Sequence, residues 1–197
     1  RKLMEVCRMR NTPVMVFINK MDRPSGDPFD LLDELEKELN IGVRPLSWPI
    51  GNGETFKGVY NLFENSLYLY EASKQTVQEG IAIADVADPQ LDSIIGDRAA
   101  EHLREELDLV AGVYEDFDKE AYLRGEVAPV FFGSALNNFG VRELLHCFLR
   151  IAPQPGTSQT EARIVHPEEE KFSGFVFKIH ANMDPNHRSC IAFVKIA

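Results

Sequence analysis

Short apolar runs alternate with amphipathic stretches in the first part of the chain. Residues 13–18 form one unbroken apolar run, and residues 127–133 form a second. Both are rich in β-branched and aromatic residues, which predicts strands buried on both faces of a sheet. After the first run, Asp27 and Pro28 predict a helix start, with the aspartate as N-cap and the proline in the first turn. This strand–loop–helix order is typical of a doubly wound α/β sheet.

Apolar residues at helical spacing predict further helices. The first helix carries an apolar face that includes Leu32 and Leu35 and ends at Asn40. A second begins at Asp88-Pro89, and its apolar spacing continues as one helix through Val110. A last helix follows Gly140. The residues of this last helix expected to face inward are Val141, Leu144, Leu145, Phe148 and Leu149.

The pattern changes to turns and short extended runs after residue 42. Residues 43–50 and 55–60 flank the turn-forming sequence G-N-G at 51–53, which predicts a hairpin. Residues 67–70 and 77–84 predict further strands. The G-N-G sequence is not a phosphate-binding loop, because no lysine and hydroxyl residue follow it in a helix.

The C-terminal part begins with a stretch rich in proline, glycine, serine and threonine. Residues 154–171 have the composition of a linker. Residues 172–179 and 190–196 then predict two strands. Two strands do not form a stable sheet alone, so we expect them to begin a second domain.

Composition narrows the function classes. Of the 197 residues, 44% are hydrophobic, and the net charge is −10. This acidity argues against direct binding of DNA, which needs clustered lysine and arginine. No apolar run approaches the length of a membrane span, and the first residues lack the apolar region of a signal peptide. Three separated cysteines favour reduced thiols and a cytoplasmic protein, and the spacing of His180, His187 and Cys190 fits no usual zinc pattern.

The first apolar run ends in N-K-M-D, a group of polar residues with a clear chemical use. Ligands of open α/β sheets bind beyond the carboxyl ends of strands. The carboxylate of Asp22 can accept two parallel N–H donors, such as N1–H and N2–H of guanine. Asn19 can donate to a ring nitrogen or brace neighbouring backbone, and the stem of Lys20 can lie on the base. N-K-x-D resembles the base-binding motif of GTP-binding proteins.

The second apolar run ends in Ser134, Ala135 and Leu136. This sequence resembles the loop that GTPases place beneath guanine O6. There the binding group is a backbone N–H, normally that of the residue matching Ala135, and small side chains let the loop approach the base. Two such motifs in this order, each at the end of a buried strand, predict a guanine site formed by Asn19, Lys20, Asp22 and these three residues, with GTP or GDP as ligand.

The chain as a whole resembles translational GTPases. The long segment between the two motifs resembles the subdomain inserted there in elongation factor G and in the bacterial peptide chain release factor 3 family. Residues 48–51 (W-P-I-G), 56–60 (F-K-G-V-Y) and 175–188 closely resemble the release factor 3 family. This resemblance implies a GTPase that binds the ribosome and displaces class I release factors. An elongation-factor-G-like translocase, or a non-catalytic ribosome- or protein-interaction module on a degenerate GTPase fold, is the alternative.

The resemblance predicts the following domain organisation. Residues 1–42 and 127–153 form the C-terminal part of a P-loop GTPase-type doubly wound sheet, and residues 43–126 form an inserted α+β subdomain. Residues 154–171 link these parts to the first strands of a β-barrel domain at 172–197.

Several parts of the family's catalytic apparatus have no match in residues 1–197. The phosphate-binding loop, the switch threonine and the D-x-x-G segment are expected to precede Arg1, together with the Mg²⁺ ligands. We therefore assign no catalytic and no metal-binding residue. The full-length parent is expected to be a GTP hydrolase, and this fragment alone is expected to be inactive.

Overall fold

The computed structural model describes residues 2–70, 80–83, 85–181 and 190–196. The chain divides into two compact units, Arg1–Ala152 and Pro153–Ala197. The helices are α1 (Lys2–Met9), α2 (Pro28–Leu39), α3 (Gln90–Ile95), α4 (Asp97–Val113), α5 (Lys119–Leu123) and α6 (Val141–Ile151). The strands are β1 (Val16–Ile18), β2 (Gly42–Pro45), β3 (Ser47–Ile50), β4 (Gly58–Asn61), β5 (Ser66–Leu69), β6 (Ile81–Ala82), β7 (Val127–Phe132), β8 (Ser158–Gln159), β9 (Ile164–Val165), β10 (Gly174–Ala181) and β11 (Cys190–Ile196).

A parallel three-stranded sheet forms the centre of the first unit. Its strand order is β1-β7-β2, and Val16 of β1 pairs with Val130 of β7. Alternate β7 residues lie on opposite faces: Phe132 packs in a cluster with α2, and Phe131 packs in a cluster with α5 and α6. Both faces are therefore covered, as the unbroken apolar runs predict. The predicted α/β class with a parallel sheet is confirmed.

Local signals place α2 as predicted. The Asp27 side chain accepts a hydrogen bond from the N–H of Phe29 at 2.8 Å, and the helix begins at Pro28. Asn40 ends the helix with a left-handed φ of 47°. The Arg8 guanidinium donates to the carbonyl of Asn40 at 2.9 Å, so α1 supplies a cation at this helix C-terminus.

An antiparallel sheet of order β3-β4-β5-β6 follows the parallel sheet. The predicted hairpin is present, but only Ser47–Ile50 pairs with β4. Residues 43–45, the start of the predicted arm 43–50, pair in parallel with β7 instead, so the expectation that they belong to the hairpin is wrong. Sequence periodicity cannot distinguish the two arrangements, because a parallel and an antiparallel strand carry the same short apolar run. The predicted strand 77–84 is seen at β6, while residues 77–79 and 84 lie outside the described residues.

Trp48 joins the two sheets and their helices. Its side chain is fully buried, and its ring lies 4.7 Å from that of Phe29 and 5.7 Å from that of Phe132, between centroids. Its indole N–H donates to Glu106 at 3.1 Å. Aromatic burial of this size is a large stabilising contribution, so β3 is held firmly against the parallel sheet.

Two helical predictions need correction. The single helix expected after Asp88-Pro89 is divided into α3 and α4 at Gly96, which has a φ of 86°. In α6, Leu145, Phe148 and Leu149 are exposed rather than inward-facing. The buried stripe is Glu143, Cys147 and Ile151. The apolar face of α6 is wider than the stripe that contacts the sheet, and the sequence does not say which part is covered.

The second unit contains two antiparallel hairpins. β8 pairs with β9, so the stretch predicted as a linker includes a short hairpin. β10 pairs with β11 from Gly174↔Ile196 to Ala181↔Cys190. The two predicted strands are thus present, and the residues that join them, 182–189, lie outside the described residues. Their membership of a β-barrel remains a prediction.

Candidate functional site

Two loops leave the same edge of the parallel sheet and are bonded to each other. β1 ends at Ile18 and β7 ends at Phe132, which are paired residues. Beyond them the N–H of Gly133 donates to the carbonyl of Ile18, and the N–H of Met21 donates to the carbonyl of Gly133, both at 3.0 Å. The parallel pairing therefore continues past the strands. It brings together the two sequence motifs, which lie far apart in the chain.

Asn19 connects the two loops through its side chain. Its Oδ1 accepts a hydrogen bond from the N–H of Ala135 at 2.8 Å and another from the N–H of Lys20 at 2.8 Å. Its side-chain NH₂ group donates no hydrogen bond to the described residues. Asn19 thus braces the loops with its oxygen and leaves its amide donors available to a ligand.

Asp22 and Lys20 present opposite charges beside this junction. The Asp22 side chain is half-buried, and among the described residues it accepts no hydrogen bond and pairs with no cation. Burial raises the pKa of the nearby Tyr70, and the negative charge of Asp22 raises that pKa further. Lys20 is exposed and adopts a φ of 71°, a conformation that is strained for a residue with a side chain.

The second loop is closed by its own hydrogen bonds. The N–H of Ser134 donates to the carbonyl of Phe139, and the N–H of Phe139 donates back to Ser134, both at 3.0 Å. The Ser134 hydroxyl accepts from Asn137 at 2.8 Å and is buried. Leu136 stands at the tip with 84% of its surface exposed, and its N–H has no acceptor among the described residues.

Two glycines essential to this loop were not singled out from the sequence. A Cβ on Gly133 would lie 2.3 Å from the carbonyl oxygen of Phe139, and one on Gly140 would lie 2.5 Å from that of Phe132. Gly140 also has a φ of 78°. The available signal was a glycine directly before and one shortly after S-A-L, where close backbone approach requires glycine.

The described residues at this edge offer hydrogen-bonding and charged groups. At this edge there are two amide donors, a free carboxylate, an ammonium group and a free backbone N–H, which together suit a planar heterocycle with donors and an acceptor on one edge. No three or more His, Cys, Asp or Glu side chains lie together as a metal site within the described ranges. The residues at this edge thus supply no cluster of three such ligands for a Mg²⁺ ion. None of the helices described is both long and apolar enough to span a membrane.

Comparison with known proteins identifies the family of this chain. Residues 1–154 match the family described as the elongation factor Tu GTP binding domain. A crystal structure of a protein from Thermus thermophilus is similar in fold, with a TM-score of 0.60 and 22% sequence identity. That match covers 99% of this chain and 29% of the other, so the chain spans less than a third of the length of that protein. The family match extends over 154 of the 197 residues. The chain therefore belongs to the elongation factor Tu GTP-binding domain family of translational GTPases.

Proposed function

We propose that the two loops form the guanine-binding part of the nucleotide site of a translational GTPase. The observation that carries this proposal is the 2.8 Å hydrogen bond between Asn19 Oδ1 and the N–H of Ala135. It joins the two loops three residues before Asp22, whose carboxylate has no partner among the described residues. A base placed at this junction would meet side chains from one loop and main-chain donors from the other.

Each group has a defined role in this proposal. Asp22 accepts N1–H and N2–H of guanine, and Asn19 donates from its side-chain amide. The Ala135 N–H, predicted to bind O6, donates to Asn19 in this structure. Guanine O6 therefore shares that N–H and meets the unsatisfied N–H of Leu136 next to it. The aliphatic part of Lys20 lies over the base.

Specificity follows from the charge of Asp22. A hydrogen bond to a charged group contributes about 1.5–3 kcal/mol, and guanine offers two N–H donors to one carboxylate. Adenine presents an acceptor and no amino group at these positions, so the carboxylate would lose both partners. The site is therefore expected to favour guanine over adenine by a large factor.

The test is the substitution Asp22→Asn in the whole protein that contains this chain. An amide at this position matches xanthine, which carries a carbonyl where guanine has its amino group. We expect GDP affinity to fall by at least about tenfold, as the loss of one charged hydrogen bond predicts, and xanthosine diphosphate affinity to rise. Isothermal titration calorimetry with both nucleotides measures the two affinities and hence the change in preference.

A matched control is Asp108→Asn, which makes the same chemical change at an exposed carboxylate of α4. It is expected to leave both affinities unchanged. Unaltered nucleotide preference in the Asp22 variant would refute the assignment of the base site.

For the whole protein, the resemblances outside the two loops support a role in translation termination. The sequences at 48–51, 56–60 and 175–188 support a factor of the release factor 3 kind, in which GTP hydrolysis on the ribosome displaces class I release factors. The segment 43–126 then corresponds to the inserted subdomain. Mg²⁺ and the phosphate-binding groups belong to parts of the site that the described residues do not supply.

Reconstituted ribosomes separate this role from its alternatives. A release factor 3 function predicts GTP-dependent dissociation of a labelled class I release factor from a terminated complex. A translocase of the elongation factor G kind instead predicts movement of tRNA after peptide transfer. A non-catalytic module predicts ribosome binding without GTP hydrolysis above the ribosome-only background.

A further inference from the structure

The turn between β3 and β4 lies against the loop that carries Asp22. The N–H of Gly53 donates to the carbonyl of Met21 at 3.0 Å, and the side-chain amide of Asn52 lies 3.5 Å from the carbonyl oxygen of Ser25. A Cβ on Gly53 would lie 3.0 Å from the backbone nitrogen of Pro24. The residues 51–55, called here the Gly53 turn, therefore touch the first loop on both sides of Asp22.

This contact fixes a particular peptide group. The Met21 carbonyl belongs to the peptide bond that leads into Asp22, and it accepts from Gly53. The Met21 N–H donates to Gly133 at 3.0 Å. Both polar groups of Met21 are thus held, one by the second loop and one by the Gly53 turn, and its side chain is fully buried. The direction in which Asp22 projects depends on both.

The Gly53 turn is closed by its own hydrogen bonds. The Thr55 hydroxyl donates to the carbonyl of Asn52 at 2.8 Å, and the Thr55 N–H donates to the same carbonyl at 3.0 Å. Gly51 and Gly53 have φ values of 72° and 55°, which few other residues adopt without strain. A single backbone conformation is therefore strongly favoured.

Three aromatic rings join the Gly53 turn to the second loop. Phe56 follows the turn, Tyr70 follows β5, and Phe139 closes the second loop by its pairing with Ser134. The ring centroids of Phe56 and Phe139 lie 5.8 Å apart, those of Tyr70 and Phe139 5.5 Å, and those of Phe56 and Tyr70 5.1 Å. Edge and tilted contacts of this kind are favourable, so the segment between the two motifs contacts both loops at once.

We propose that the Gly53 turn is a positioning element that sets the direction of the Asp22 carboxylate and thereby the base specificity of the site. The inference rests on the proposed function and extends it, because it gives the inserted segment a part in nucleotide recognition. Gly53 acts through Met21 and touches no nucleotide itself. Its loss should weaken discrimination between bases more than it weakens binding in general.

The experiment compares Gly53→Ala with Gly125→Ala in the whole protein. Both positions have left-handed φ values, 55° and 72°, so both variants carry backbone strain. Only at Gly53 does the added Cβ press on another segment, since a Cβ on Gly125 meets nothing within 4 Å. The control therefore reproduces the strain without displacing the loop of Asp22.

The measured quantity is the ratio of affinities for GDP and inosine diphosphate. Inosine lacks the exocyclic amino group and so loses one of the two donors to Asp22. The native protein should favour GDP by about tenfold or more, as one charged hydrogen bond predicts. Gly53→Ala should reduce this preference by at least about threefold, while Gly125→Ala keeps it within about twofold.

A second variant covers the case in which Gly53→Ala does not fold. Thr55→Val is nearly isosteric at an exposed position and removes the hydroxyl that ties the turn to Asn52. It should lower the preference for GDP in the same direction by a smaller factor, with little change in melting temperature. Thermal unfolding of every variant separates a loss of specificity from a loss of folded protein.

The possible results are distinguishable. If the native protein shows no preference for GDP over inosine diphosphate, the proposed function fails. If the native preference is present and both turn variants keep it, the proposed function stands and the positioning role of the Gly53 turn is refuted.

Discussion

The two loops at the edge of the parallel sheet lie next to each other but present different chemical groups. The loop after β1 presents side chains, among them those of Asn19, Lys20 and Asp22, whereas the loop after β7 presents backbone N–H groups at Ala135 and Leu136. The first loop depends on residue identity, because only particular side chains supply an amide and a carboxylate. The second depends on small size and glycine, since its useful groups belong to every residue.

They also differ in what holds them. The second loop closes on itself through the paired hydrogen bonds of Ser134 and Phe139. The first loop is held from outside, by Gly133 and by Gly53 at the two polar groups of Met21. It also carries the strained backbone of Lys20. Substitutions of the residues that hold the first loop should therefore affect the site more than substitutions at the exposed tip of the second loop.

The largest expected effect is that of Met21→Ala. Met21 is fully buried in the main core cluster, so truncation leaves a cavity beneath the first loop. We expect a loss of about 2–5 kcal/mol in the free energy of unfolding, measured by urea denaturation. A loss smaller than that of Leu136→Ala, at an exposed leucine, would contradict the view that burial of Met21 holds this loop in place.

Asn19→Ala should have the next largest effect. It removes the acceptor of two hydrogen bonds, those from Ala135 and Lys20. The expected loss in unfolding free energy is about 1–3 kcal/mol, at about 0.5–1.5 kcal/mol for each bond. Asn19→Asp is the matched variant, because it keeps an acceptor and removes the amide donors. Equal stability of the native protein and the alanine variant would disprove the bracing role.

Ala135→Pro tests the same contact from the other loop. Proline suits the first position of the 3-10 turn at Ala135–Asn137, and Ser134 is already extended, with φ −135° and ψ 101°. The substitution thus removes one N–H, with an expected cost of about 1 kcal/mol. Ala135→Ser keeps the N–H and serves as control. In the double variant with Asn19→Ala, the loss in unfolding free energy should be smaller than the sum of the two single losses. Strict additivity would show that the residues act separately.

The pKa of Tyr70 gives a smaller and more local signal. Burial first and the charge of Asp22 second raise this pKa above its ordinary value of 10.0. A raised pKa means that the neutral phenol contributes stability below pH 10.0, and that this contribution is lost as the pH rises through the folded-state value. Asp22→Asn should lower the Tyr70 pKa. Ultraviolet titration measures this change, and the Tyr70→Phe variant identifies the signal of Tyr70. No change would place the two groups too far apart to interact.

Leu136→Ala should have the smallest effect. Its side chain is 84% exposed, so the unfolding free energy should stay within about 0.5 kcal/mol of the native value. The backbone N–H that the proposal uses is retained, and GDP affinity should change little. A large loss of affinity would show that the second loop also binds through a side chain.

Local sequence signals predicted the elements that depend on nearby residues. The α2 start at Asp27 and Pro28 and its end at Asn40 are decided within a few residues, because caps act through local hydrogen bonds. The β1 and β7 strands followed from their apolar runs. The exposed face of α6 and the division of residues 43–50 between two sheets could not be predicted from local signals. Both depend on which distant segments of the chain pack against them.

The candidate site shows the same division. The residue types, N-K-M-D after one strand and G-S-A-L after another, are read directly from the chain, and they define the groups available for binding a base. The contact of Asn19 Oδ1 with the N–H of Ala135, and the hydrogen bond from Gly53 to the carbonyl before Asp22, follow only from the fold. The two differ because side-chain chemistry belongs to each residue alone. The contacts that orient those groups arise between segments brought together by strand pairing and burial.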